Sequence, residues 1–176
     1  MFSRIISLCG LVAVLLFGWS PQAKAQESAT IQALATVISS LSIVGVNNLQ
    51  FGNVTPGVAK SVDKATPGFA GQWDITGTPG AEITIDFTLP DSLLRVSDST
   101  VGMPINFVAT DASWDDGTGG QLSPSGVIDP NGLSTERIGA GGTMNVWVGG
   151  LVLPRVSQGG GDYAEDVILT VAYTGS

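Results

Sequence analysis

Residues 81–89 read AEITIDFTL, and the order of side-chain types in this stretch sets the fold class. Ala81, Ile83, Ile85, Phe87 and Leu89 alternate with Glu82, Thr84, Asp86 and Thr88. A period of two is that of a strand with one face turned to a core and the other to water. On this reading Glu82 and Asp86 are solvated charges of the outer face, which is where a half-buried antiparallel strand carries them. They are not expected to form the carboxylate pair of a glycosidase, because nothing in the sequence sets the separation such chemistry needs.

Working outward, Thr78-Pro79-Gly80 precedes the strand, and the same tripeptide occurs at Thr66-Pro67-Gly68 and Thr55-Pro56-Gly57. Proline presets φ at the second position of a type II turn, and glycine takes the positive φ of the third. Turns at this spacing leave room for one short strand between each pair. Strands are expected at 49–51, 58–63 and 72–76, then at 103–110, 126–128, 143–148, 151–153 and 166–173. Upstream, the odd positions of 29–43 are apolar or small through Ala29, Ile31, Ala33, Ala35, Val37, Leu41 and Ile43, which predicts one long strand or two with a bend near Ser39 and Ser40. No part of the chain after residue 25 repeats apolar residues at helical spacing over three turns. Many short strands without crossover helices predict an all-β fold, an antiparallel Greek-key β-sandwich of immunoglobulin-like type. A closed barrel is the alternative. A membrane-spanning barrel is disfavoured, since its strands need about 9–11 residues and aromatic girdles.

The N-terminal segment has a different character. Arg4 precedes an apolar run over 5–19, and small residues at Ala23 and Ala25 flank Lys24. This is the layout of a secretory signal cleaved between Ala25 and Gln26. The apolar run is shorter than the roughly 20 residues that span a bilayer. The expected organisation is therefore a signal peptide over 1–25 and one β-sandwich domain over 26–176, exported to the periplasm, the cell surface or the exterior, with no membrane span after processing.

Charge and composition narrow the chemistry. Removing Arg4 and Lys24 leaves five basic against 15 acidic side chains, a net charge of −10. The basic residues are scattered, so no phosphate-binding stripe is expected and nucleic acid is an unsuitable partner. The chain has no histidine, and its one cysteine, Cys9, leaves with the signal. That removes Ser-His-Asp and Cys-His nucleophile systems and the usual zinc ligand sets. No catalytic residue is assigned, and the protein is expected not to be an enzyme.

Two features suit binding instead. Asp111, Asp115 and Asp116 gather three carboxylates in a glycine-containing segment, and calcium favours oxygen ligands of this kind, although the spacing is not that of an EF-hand. Trp114, within the same segment, reads as a loop residue available for a partner or a glycan. Trp73 and Trp147 lie among apolar neighbours and read as core.

The ordered set of ATIQALATVISSLSI at 29–43, LQFGNVTPG at 49–57, WDITGTPGAEITIDF at 73–87 and the closing GGTMNVWVGGLVLP at 141–154 and GGGDYAEDVILTVAY at 159–173 resembles the bacterial secreted family catalogued as domain of unknown function 4402. It is more distantly similar to the pilin domains of chaperone-usher fibres of the spore-coat-like branch. That resemblance implies self-association by β-strand addition, in which Ala29, Ile31, Ala33, Ala35 and Val37 of an extended N-terminal strand would insert alternate side chains into a neighbour. The chain lacks the cysteine pair of that branch. The expected function is an exported structural or adhesive surface protein, with a stand-alone module for calcium or carbohydrate as the alternative.

Overall fold

A computed structural model describes Gln32 and residues 40–175. The expected cleavage residues Ala23, Ala25 and Gln26 lie outside the described residues, as do Ala29, Ile31, Ala33, Ala35 and Val37. The described residues 40–175 belong to one compact unit.

Thirteen strands are described in that unit: β1 (Ser42–Asn47), β2 (Lys60–Val62), β3 (Gly71–Thr76), β4 (Glu82–Thr88), β5 (Ser92–Arg95), β6 (Asp98–Asn106), β7 (Ala112–Asp115), β8 (Gly126–Ile128), β9 (Ser134–Arg137), β10 (Thr143–Val148), β11 (Gly150–Val152), β12 (Tyr163–Ala164) and β13 (Ile168–Tyr173). Every pairing is antiparallel. One layer has the order β1-β3-β10-β7-β8; two further ladders, β12-β5-β6-β11-β2 and β13-β4-β9, make the other. These two ladders adjoin, because β4 leads into β5 while β12 leads into β13 alongside them, with Thr88 opposite Ile168 and Leu94 opposite Ala164. The fold is an all-β antiparallel sandwich, as the alternation in 81–89 predicts.

Packing follows from that alternation. Ile83 and Ile85 are fully buried and Phe87 nearly so, while Asp86 is exposed and Glu82 pairs with Arg137 of β9 at 3.2 Å. From the facing layer come Ile75, Met144, Val146 and Val148, each at most 1% exposed. Trp73 of β3 meets Phe87 edge to face with ring centroids 5.9 Å apart, a favoured aromatic geometry that joins the layers. All three Thr-Pro-Gly sequences form the expected turns. Gly57, Gly68 and Gly80 have φ of 76°, 78° and 70°. Each turn closes with the residue after glycine donating to the threonine carbonyl, at 3.0, 3.3 and 3.1 Å.

The layers are also joined covalently by one continuous segment. β10 lies in the first layer and β11 in the second, and only Gly149 separates them. Strands that switch sheets do so at bends, and here the bend brings the backbone of residue 149 against residues 62–64.

Several expectations change. Residues 49–51 form no strand; Phe51 is buried, and the Gln50 amide donates to the Phe69 carbonyl at 2.7 Å. Strand β6 begins at Asp98 rather than at Met103 and pairs with β5 in a tight hairpin that local periodicity conceals, since Leu93 and Leu94 are adjacent rather than alternate. β9 and β12 lack alternating apolar residues and exist because a neighbouring strand pairs with them. Trp114 belongs to strand β7, not to a loop, because β10 and β8 pair with that segment on both sides.

Candidate functional site

The two sequence-derived binding features are placed differently from one another. Asp111 precedes β7 and Asp115 ends it, so their Cα atoms are separated by about 13 Å at the usual strand rise. The Asp111 carboxylate accepts from the Val108 amide at 2.8 Å and closes its own turn. Asp115 and Asp116 are brought together, with the Ser125 hydroxyl 3.1 Å from Oδ1 of each. Among the described residues no group of three or more histidine, cysteine, aspartate or glutamate side chains is placed to share a metal ion.

Asp115 is committed to its own loop. It is 1% exposed. Its Oδ2 accepts from the Gly117 amide at 2.8 Å, and its Oδ1 from the Gly119 amide at 3.0 Å. Burial raises the Asp115 carboxyl, but the amides of Gly120, Gly119 and Gly117 and the Ser125 hydroxyl outweigh it and hold the group below its ordinary value. The residues that follow β7 thus wrap around a buried anion.

Trp114 faces inward, in register with Val146 of β10 and Gly126 of β8. A Cβ at Gly126 would lie 2.6 Å from the indole nitrogen, so glycine there makes room for the ring. The indole N–H donates to Glu136 of β9, across the sandwich. Burial pushes the Glu136 carboxyl above its ordinary value, and the bond from Trp114 only partly opposes this. A folded-state value raised above the unfolded one favours folding at low pH, and that advantage is lost as pH rises through the folded value. Glu136→Gln, which keeps an acceptor for Trp114, is therefore expected to raise the thermal midpoint at pH 7 and to leave it unchanged near pH 4, as differential scanning calorimetry would read.

A different region presents an opening. β1 is an edge strand of its layer and β12 an edge strand of the other. Between them lies a cleft of about 950 Å³ floored by Leu93, Met103 and Ile105 and walled by Trp73, Gly45, residues 47–54 and the glycine-rich segment 158–162. The cause is local to β1. Leu41 and Ile43 pack on the core, but the next inward position is Gly45, opposite Trp73, and a register shift between Gly45 and Asn47 interrupts the ladder. No side chain fills the space that an apolar residue at 45 would occupy. On the opposite wall Arg95 donates to the Gly160 carbonyl and lies over the Tyr163 ring at 6.0 Å, which holds the glycine-rich segment in place. Asp162, Glu165 and Asp166 line the same opening.

β1 offers a second feature on its outer side. Val44 and Val46 are 59% and 48% exposed, and among the described residues no strand pairs with this edge. Unpaired edges with apolar side chains are templates for another chain, and many proteins blunt them with charge or proline. β1 carries neither. Among the described residues no helix is long and apolar enough to cross a membrane. No family model matches the chain, and no curated protein matches it in sequence.

Proposed function

We propose that this is an exported, non-enzymatic structural or adhesive surface protein that self-associates by β-strand addition, with residues 29–39 of one copy as the added strand, since Ser42 and Ile43 at the end of the 29–43 stretch pair with β3 of their own domain. The observation that carries the reading is the outer edge of β1, which no strand pairs with among the described residues, and its exposed Val44 and Val46. A strand with alternating small and apolar residues pairs with such an edge through backbone hydrogen bonds, and its side chains supply the specificity. The absence of histidine, and of cysteine beyond residue 25, supports a non-enzymatic role. Calcium or glycan binding through Asp111 to Asp116 and Trp114 is less well supported, because the Trp114 ring turns inward and the Asp111 and Asp115 carboxylates cap their own turns.

Light scattering coupled to size exclusion tests the proposal. The purified protein is expected to form larger species as concentration rises, and the double substitution Val44→Lys with Val46→Lys to return it to monomer with an unchanged thermal midpoint, since both side chains are exposed. Monomer alone at every concentration would rule out strand addition between copies.

A further inference from the structure

We propose that the cleft between β1 and β12 binds a neutral, polyhydroxylated ligand, a short saccharide chain without charged groups. This goes beyond strand pairing, which uses the outer edge of β1 and not the space beneath it.

The argument begins with the side-chain amides. Gln72, Gln121, Asn131, Asn145 and Gln158 all hydrogen-bond within the protein. Five side-chain amides line the cleft; Gln158 donates to the Gly102 carbonyl and the Tyr163 hydroxyl, while Asn47, Asn48, Gln50 and Asn53 form no side-chain hydrogen bond to any described residue. A carboxamide offers two donors and an acceptor with two lone pairs. Four of them around one opening match a ligand that itself carries donors and acceptors in alternation, which is the surface of a sugar.

The remaining walls agree. The Trp73 indole lies beside the vacancy at Gly45, where an added Cβ would come within 4.0 Å of its Cδ1 and Nε1. An aromatic body with a polar tip can cover the C–H face of a pyranose and still present a donor. About 950 Å³ is at the upper end of small-ligand sites and suits two or three sugar units. Asp162, Glu165 and Asp166 on the opposite wall repel carboxylated or sulfated glycans, so the ligand is neutral.

The test is a nuclear magnetic resonance titration of the purified, isotope-labelled protein. The probes are cellotriose, maltotriose, mannotriose and tri-N-acetylchitotriose, with trigalacturonate as the anionic counterpart and a synthetic peptide of residues 26–40 as the rival occupant. At least one neutral trisaccharide is expected to shift the side-chain amide signals of Asn47, Asn48, Gln50 and Asn53 together. Asn48→Ala with Asn53→Ala, both at exposed positions, is expected to weaken that binding at least tenfold without changing the thermal midpoint. The proposal is overturned if none of the four neutral sugars moves these signals, if trigalacturonate binds as well, or if only the peptide does. The Val44→Lys, Val46→Lys monomer should bind the sugar as the original does, so failure of strand addition and failure of the cleft are read separately.

Discussion

Gly149→Ala is expected to lower the unfolding free energy by about 3–5 kcal/mol, as read from urea titrations. The reason is backbone proximity. A Cβ at 149 would sit 2.3 Å from the Val62 carbonyl oxygen and 2.7 Å from the Lys64 nitrogen, contacts no side-chain rotation relieves. The Gly149 amide also donates to the Asp111 carbonyl at 2.7 Å, so residue 149 cannot move outward without losing that bond. Because β10 and β11 flank it in two different layers, displacement at this position disturbs the pairing of both. Gly132→Ala is the matched control. A Cβ there meets nothing within 4 Å, and the change is expected to stay within about 0.5 kcal/mol. Equal effects of the two substitutions would contradict the account of the crossing.

Asp115→Ala should be nearly as damaging, by about 2–4 kcal/mol, because it removes an anion to which several donors point and leaves them unpaired in a buried place. Gly117 and Gly119 lose their acceptor, and Ser125 is left with Asp116 alone. Asp115→Asn keeps one oxygen but turns the other into a donor facing the amides, so it should recover only part of the loss. The pH dependence has a definite sign. The folded carboxyl lies below its unfolded value of about 3.8, so its contribution is complete above that value and is lost as pH falls through the folded one. Between pH 5 and pH 2 the original protein should lose more stability than Asp115→Asn does. Parallel decline of the two would mean that the charge of Asp115 does not organise the loop. Glu136 acts with the opposite sign and in a higher window, above its unfolded value of about 4.5, so comparison with Glu136→Gln separates the two carboxylates.

These cases show which parts of the molecule were legible in one dimension. The strand over Glu82–Thr88 was, because a two-residue period with Ile83, Ile85 and Phe87 on one side can bury itself in only one way. The three Pro-Gly turns were, because each residue carries its own φ preference. Local pattern was silent on β7. Ala112, Ser113, Trp114 and Asp115 alternate for only four residues, too short a run to tell from a loop, and pairing with β10 and β8 makes them a strand and turns the indole inward. The three aspartates looked alike as neighbours in sequence. Strand geometry then separates Asp111 from Asp115, and loop amides, not a metal, account for the hydrogen bonds of the latter.

The amides of the cleft mark the same boundary. In sequence Gln50 reads as part of a strand over 49–51, with Asn47, Asn48 and Asn53 as polar residues flanking it. Their common opening depends on Gly45 standing opposite Trp73 and on β12 lying some 120 residues away in sequence. From the chain alone follow the fold class, the facing of its most regular strand and its turns, since these depend on φ preferences and on a period of two within a few residues. Layer order, the crossing at Gly149, the burial of Asp115 and the opening beside β1 arise from contacts between distant segments, where close packing and the pairing of backbone donors leave each residue one place to go.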